Sequence, residues 1–255
     1  MVAKTDITER VRKLLEKAEN SAATPEEAQT YAAKAAELIT KYNLDAATVR
    51  HRDGKRPEPI KMLEFEISGQ GWHGKARASL VYRVAVAFGC SACTVNNKMN
   101  GELRWVMIVG PAATLKALEV LLPSVLRQAE SQGLAAAKTH MAERKGMFDT
   151  AAKANIERRT FFRSYLPAYG SGVADKITDA RNVMAEKVKG KAGELVLTTD
   201  AERTKAAFAK RFPDLGVGRR DKHNPDGAEA GRRDGRNADI GHAKVGKTAK
   251  AAVKS

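Results

Sequence analysis

The sequence predicts an α+β chain that is mostly helical, with an N-terminal αα-hairpin, a small antiparallel-containing sheet packed by helices, long C-terminal helices and a basic disordered tail. Three observations lead there. Apolar residues recur at helical spacing behind capped starts over much of the 255-residue chain. Three short segments before residue 110 carry strand patterning instead, and two of them flank an Asn-Gly pair. Aromatic residues are only 5% of the chain while Ala, Lys and Arg abound, which favours helix over sheet.

Residues 1–50 read as a helical hairpin domain. Asp6 starts the first helix by accepting a hydrogen bond from the backbone near Glu9, the third helical position. Ile7, Val11, Leu14, Leu15 and Ala18 then form one apolar stripe, with Arg10, Arg12, Lys13 and Lys17 on the other side. The helix should stop near Asn20 and Ser21. Thr24 caps the second helix, Pro25 takes the first helical position, where no N–H is needed, and Glu27 completes a capping box. Its buried stripe is Ala28, Tyr31, Ala32, Ala35, Leu38, Ile39 and Tyr42. Asn43 ends the helix in the left-handed conformation and Leu44 folds back over the last turn. Asp45 caps a short helix to Val49, and the many alanines let the two longer helices approach closely.

The runs Val11-Arg12-Lys13-Leu14-Leu15-Glu16-Lys17-Ala18-Glu19, Thr24-Pro25-Glu26-Glu27-Ala28, Ala33-Lys34-Ala35-Ala36-Glu37-Leu38-Ile39 and Lys41-Tyr42-Asn43-Leu44 resemble the domain catalogued as domain of unknown function 2786. The Gly110-Pro111 helix and the Arg159 to Gly172 region are similar in style to longer members. The resemblance implies the helical hairpin and a phage or mobile-element origin. It brings no catalytic residues with it.

Residues 51–60, including His51-Arg52-Asp53-Gly54-Lys55-Arg56-Pro57, have no periodicity and read as a linker. Residues 61–215 read as an α+β domain with a helical extension. Leu63, Phe65 and Ile67 alternate with Glu64 and Glu66, the pattern of a half-buried strand. After a glycine-rich turn around Trp72 and His73, Ala76 to Phe88 predicts a helix stopped by Gly89. Cys90 to Val95 is a short strand, Asn100-Gly101 a hairpin turn, and Leu103 to Val109 a nearly all-apolar returning strand, expected to be central. Gly110-Pro111 starts a helix with Leu115, Leu118, Leu122, Val125 and Ala129 inward, and Pro123 should kink or interrupt it. Ala135 to Arg144 continues helically until Gly146. Asp149 to Leu166 predicts a second long helix ended by Pro167 and Gly170, and Val173 to Val188 a third. A short strand at Leu195 to Thr198 and a helix from Ala201 to Phe212 complete the domain.

Residues 216–255 change character. Apolar residues become rare and Gly, Arg, Lys and Asp dominate, so the segment reads as a basic flexible tail, disordered or transiently helical.

The formal net charge of +15 favours polyanionic partners, nucleic acid first. Only two cysteines occur, Cys90 and Cys93, too close together for a disulfide framework. No apolar run has the length of a membrane span and no secretory signal core is present, so no membrane partner is expected. The expected setting is cytoplasmic, the host cytoplasm if the chain is phage-encoded.

Candidate chemistry is sparse. Cys90-Ser91-Ala92-Cys93 has the spacing of half a zinc site, but without a second Cys pair the expectation is core thiols and no metal. His51, His73, His140, His223 and His242 show no spacing that puts two ligands on one helix face. Gly241-His242-Ala243-Lys244-Val245-Gly246-Lys247-Thr248 fits the phosphate-loop spacing. The preceding Asn237-Ala238-Asp239-Ile240 is too polar for the buried strand such a loop leaves, so the match reads as chance and no cofactor is expected. Arg158, Arg159 and Arg163 lie beside Phe161, Phe162 and Tyr165, which suits either a phosphate-contacting edge with a stacking surface or an ordinary core. Arg232, Arg233, Arg236, Lys244, Lys247, Lys250 and Lys254 form the stronger candidate, a basic arm that binds by releasing condensed counterions.

These features point to a non-enzymatic protein associated with DNA or RNA, mainly through non-specific electrostatic contacts. Two alternatives stand beside it. The hairpin could serve as a protein–protein interaction module, or a dispersed site could make the chain an enzyme, with Glu64, Glu66 and His73 as the first residues to consider.

Overall fold

Alternating apolar and charged residues build the first strand, β1 (Ile60–Glu66), in which Leu63 and Phe65 are half-buried and Glu64 and Glu66 exposed. The computed structural model describes residues 57–69, 71–96, 103–188, 192–216 and 224–238, together with Arg10, Lys13, Leu14 and Leu38. Helix α1 (Gly71–Ala87) follows and absorbs the glycine-rich turn expected around His73; Gly89, at φ 82°, ends it as expected. Strands β2 (Ser91–Asn96) and β3 (Leu103–Pro111) complete a three-stranded antiparallel sheet of order β1-β3-β2. Leu63 pairs with Ile108 and Phe65 with Val106, while Ala92 and Thr94 pair with the same two residues from the other side. Strand β3 is therefore central, and Val106, Ile108 and Val109 are buried, which is why its sequence is apolar without alternation. The Asn100-Gly101 turn lies outside the described residues.

Helix α2 (Ala112–Glu143) starts directly from β3. Pro111 is its N-cap residue, and the Ala113 N–H donates to the Glu58 carboxylate at 2.7 Å, placing a negative charge at the positive end of the helix. Pro123 does not interrupt α2. The helix buries Leu115, Leu118, Leu121, Leu122 and Val125, and it ends before Gly146, at φ 87°.

Helix α3 (Ala151–Val188) corrects the sequence expectation of two helices broken at Pro167 and Gly170. Phe161, Phe162, Tyr165, Leu166, Tyr169, Val173 and Ile177 form one buried stripe that runs through the proline. An interior proline costs roughly 3 kcal/mol. Each large side chain buried beyond it returns roughly 1.5–3 kcal/mol, so continuity wins. Gly170 is a docking position: a Cβ there would meet the Leu80 backbone of α1. Helix α4 (Ala192–Arg211) is the second correction, because the strand expected at Leu195 to Thr198 is helical. It touches all three strands, and Arg203 donates to the Glu58 carbonyl at 2.9 Å.

Helix α5 (Pro225–Asn237) is the third correction, since the sequence reads here as flexible tail. Asn224 caps it by accepting from the Gly227 N–H at 3.0 Å, and Pro225 opens the first turn. Gly227, Gly231 and Gly235 are buried against the backbone carbonyls of Phe161, Tyr165 and Tyr169, so tightly that a Cβ on any of them would overlap the carbonyl oxygen. Residues 239–255 lie outside the described residues. So does nearly all of the N-terminal hairpin, although Leu14 and Leu38, one from each expected stripe, pack against the main core. The fold is α+β and mostly helical, and among the described residues no helix is long and apolar enough to cross a membrane.

Candidate nucleic-acid interface

The first half of α3 presents opposite chemistries on its two sides. Phe161, Phe162 and Tyr165 are 2%, 8% and 0% exposed, so the aromatics expected beside the arginines are core and offer no stacking surface. Arg158 and Arg159 are exposed and Arg163 is half-buried. Arg159 and Arg163 are one helical turn apart and share an edge, whereas Arg158 is turned about 100° away and bonds Asn155 on its own helix.

That edge meets the first turn of α1. The His73 ring lies 5.7 Å from the Phe162 ring, centroid to centroid. Burial lowers the His73 pKa from its ordinary 6.5, and the positive charges of Arg77, Arg159 and Arg163 push it lower still. Glu130, which pairs with Arg77, is the opposing charge. The charges of Arg159 and Arg163 thus add near the positive end of a helix, which suits a phosphate group, while Arg77 is paired with Glu130 and donates to the Ser68 carbonyl. Glu64 and Glu66, which a dispersed enzyme site would join to His73, are not among the charges acting on it.

The α5 arginines are differently employed. Arg232 and Arg236 both donate to Asp175 of α3, at 3.0 and 3.1 Å, and Arg233 donates to its neighbour Asp234 at 3.1 Å. All three side chains remain 57–64% exposed, so Arg232 and Arg236 dock α5 on α3 while still presenting charge to solvent. Lys244, Lys247, Lys250 and Lys254 lie outside the described residues. Cys90 and Cys93 are both buried free thiols, and burial pushes the Cys90 thiol up to about 12.

A second polar cluster is invisible to sequence reasoning, because its members sit on three helices. His140 of α2 is 5% exposed, with its ring 4.3 Å from that of Phe161. Arg144 donates to His140 Nδ1 at 3.0 Å; a guanidinium has only donors, so Nε2 carries the proton and donates to Glu157 at 2.8 Å. The Asn224 amide donates to the same Glu157 oxygen at 2.9 Å, and Arg144 donates to Asp226 at 2.6 Å. His140, Arg144 and Asp226 of the cluster line a cleft of about 640 Å³ between α2, α3 and α5. The sequence carries one weak signal of it: His140 and Arg144 are spaced i, i+4 on a helix.

Among the described residues, geometry therefore defines a mostly helical α+β structure with an arginine-rich edge and a part-buried polar junction. Residues 6–46 match the family model described as "Protein of unknown function (DUF2786)", the family that this segment resembles. No curated protein and no solved structure matches the chain.

Proposed function

We propose that the chain is a non-enzymatic nucleic-acid-associated protein, holding phosphodiester backbones through non-specific electrostatic contacts at the α1–α3 edge. In this reading it is a phage or mobile-element protein acting in the host cytoplasm. The observation that carries it is the edge of α3 on which Arg159, exposed, and Arg163, half-buried, stand one helical turn apart, close enough to the first turn of α1 for both charges to act on His73. The net charge of +15 adds long-range attraction for any polyanion. Because the neighbouring aromatics are buried, the contacts are to phosphates and carry no base readout.

The test is a salt titration of binding to duplex DNA and to duplex RNA, with wild type and the Arg159→Ala/Arg163→Ala variant. The variant should bind more weakly at every salt concentration. Its plot of log affinity against log salt should be shallower by about 0.9 for each lost phosphate contact on B-DNA. Equal slopes would remove this edge from the interface, and no binding by wild type at low salt would end the proposal.

A further inference from the structure

We propose that His140, Glu157 and Asp226 form a site for one divalent metal ion of the zinc or manganese class, at the junction of α2, α3 and α5. One nitrogen and two carboxylate oxygens from three helices all lie within 4.8 Å of one another. With metal–ligand bonds of about 2.0–2.2 Å, donors around one ion stand roughly 3–4 Å apart, so small side-chain shifts close the set. One imidazole with two carboxylates suits borderline divalent transition ions, and three protein ligands leave a coordination position open to the adjoining cleft.

The cluster already holds a cation. Arg144 reaches His140 Nδ1 and Asp226 together, so its guanidinium serves the charge balance that a metal ion would take over. Its side chain is 32% exposed and borders the cleft, which gives it room to swing away. The donors are also oriented from outside the set: Asn224 holds the Glu157 carboxylate, and Phe161 packs on the His140 ring. Outer partners of this kind fix ligand geometry in metal sites. Binding through Nε2 would need the neutral imidazole to carry its proton on Nδ1 instead, which departure of the Arg144 guanidinium from Nδ1 permits.

The experiment uses the full-length chain, stripped with a chelator and shown by circular dichroism to remain folded. It is titrated calorimetrically with Zn²⁺ and spectroscopically with Co²⁺. One ion should bind per chain, and both Asp226→Asn and Glu157→Gln should weaken binding at least tenfold. Arg144→Gln, which removes the competing cation, should bind equally well or more tightly. His140 is buried and its replacement risks unfolding, so the more exposed Asp226 and Arg144 positions carry the test. The Co²⁺ complex should lack thiolate charge-transfer bands, which separates this site from Cys90 and Cys93. Absence of stoichiometric uptake, uptake indifferent to Asp226→Asn and Glu157→Gln, or thiolate bands would each overturn the proposal.

Discussion

Single side chains decide where α5 is anchored, and Glu157 is the most exposed to pH. Burial raises its carboxyl, but hydrogen bonds from His140 and Asn224, with the charge of Arg144 nearby, carry it below its ordinary 4.5. A carboxyl whose folded value lies below its unfolded one contributes stability fully above the unfolded value. That contribution fades as pH falls through the folded value. Denaturant midpoints measured from pH 7 downward should therefore hold steady to about 4.5 and then fall. Glu157→Gln should remove part of that fall and, by turning two hydrogen bonds to a charged acceptor into neutral ones, cost about 1–2 kcal/mol at pH 7. Identical pH profiles for the two proteins would show that the carboxylate does not couple to folding.

Helix α5 is an element that its own sequence disfavours. Three interior glycines cost roughly 1 kcal/mol each against alanine, and the helix has no apolar stripe of its own. Its stability comes from docking: glycine backbone on α3 carbonyls, the Tyr165 hydroxyl donating to Asp234 at 2.8 Å, and Lys176 donating to the Ala238 carbonyl at 2.6 Å. Gly231→Ala sets these effects against each other. Alanine gains the helix propensity but forces its methyl group into the Tyr165 carbonyl, and overpacking of this kind costs roughly 1–3 kcal/mol. Net destabilisation is expected, with faster proteolysis between residues 217 and 238. Unchanged or slower cleavage would mean that α5 has room to shift away from α3.

At the scale of the molecule, truncation at two places distinguishes arm from fold. Removing residues 239–255 takes away four lysines and few apolar groups, so the melting temperature should change little while the salt dependence of nucleic-acid binding becomes shallower. Removing residues 224–255 also uncovers Phe161, Tyr165 and Tyr169 and unpairs Asp175, so it should lower the melting temperature by several degrees. Equal melting temperatures for the two truncations would contradict the docking of α5. The sheet, α1 and α2 are legible in the sequence because each carries its own signal: alternation in β1, an unbroken apolar run in β3, a helical stripe from Leu115. The misreadings of α3 and α5 share one cause. Pro167, Gly170 and the α5 glycines signal breaks to a local reading, yet here tertiary packing supports a proline within one helix and uses the glycines as contact surface. Arg158, Arg159 and Arg163 are visible as a group on one helix, whereas Arg77 and the cluster of His140, Glu157 and Asp226 come together only through folding.

The spacing of the α5 glycines gives that helix a set of notches. Gly227, Gly231 and Gly235 recur every four residues, and their seats on α3 at Phe161, Tyr165 and Tyr169 recur with the same step. A slide by one, two or three residues would drive side chains such as Arg232 or Glu229 onto the carbonyl row. A slide by four, about 6 Å along the axis, returns two glycines to seats. Sliding is therefore indexed like a ratchet pawl, admitting whole-turn steps and blocking the partial ones. A whole-turn step would also carry Asp226 away from His140 and Glu157, so the same notches that set the helix in place set the alignment of the polar junction at its end.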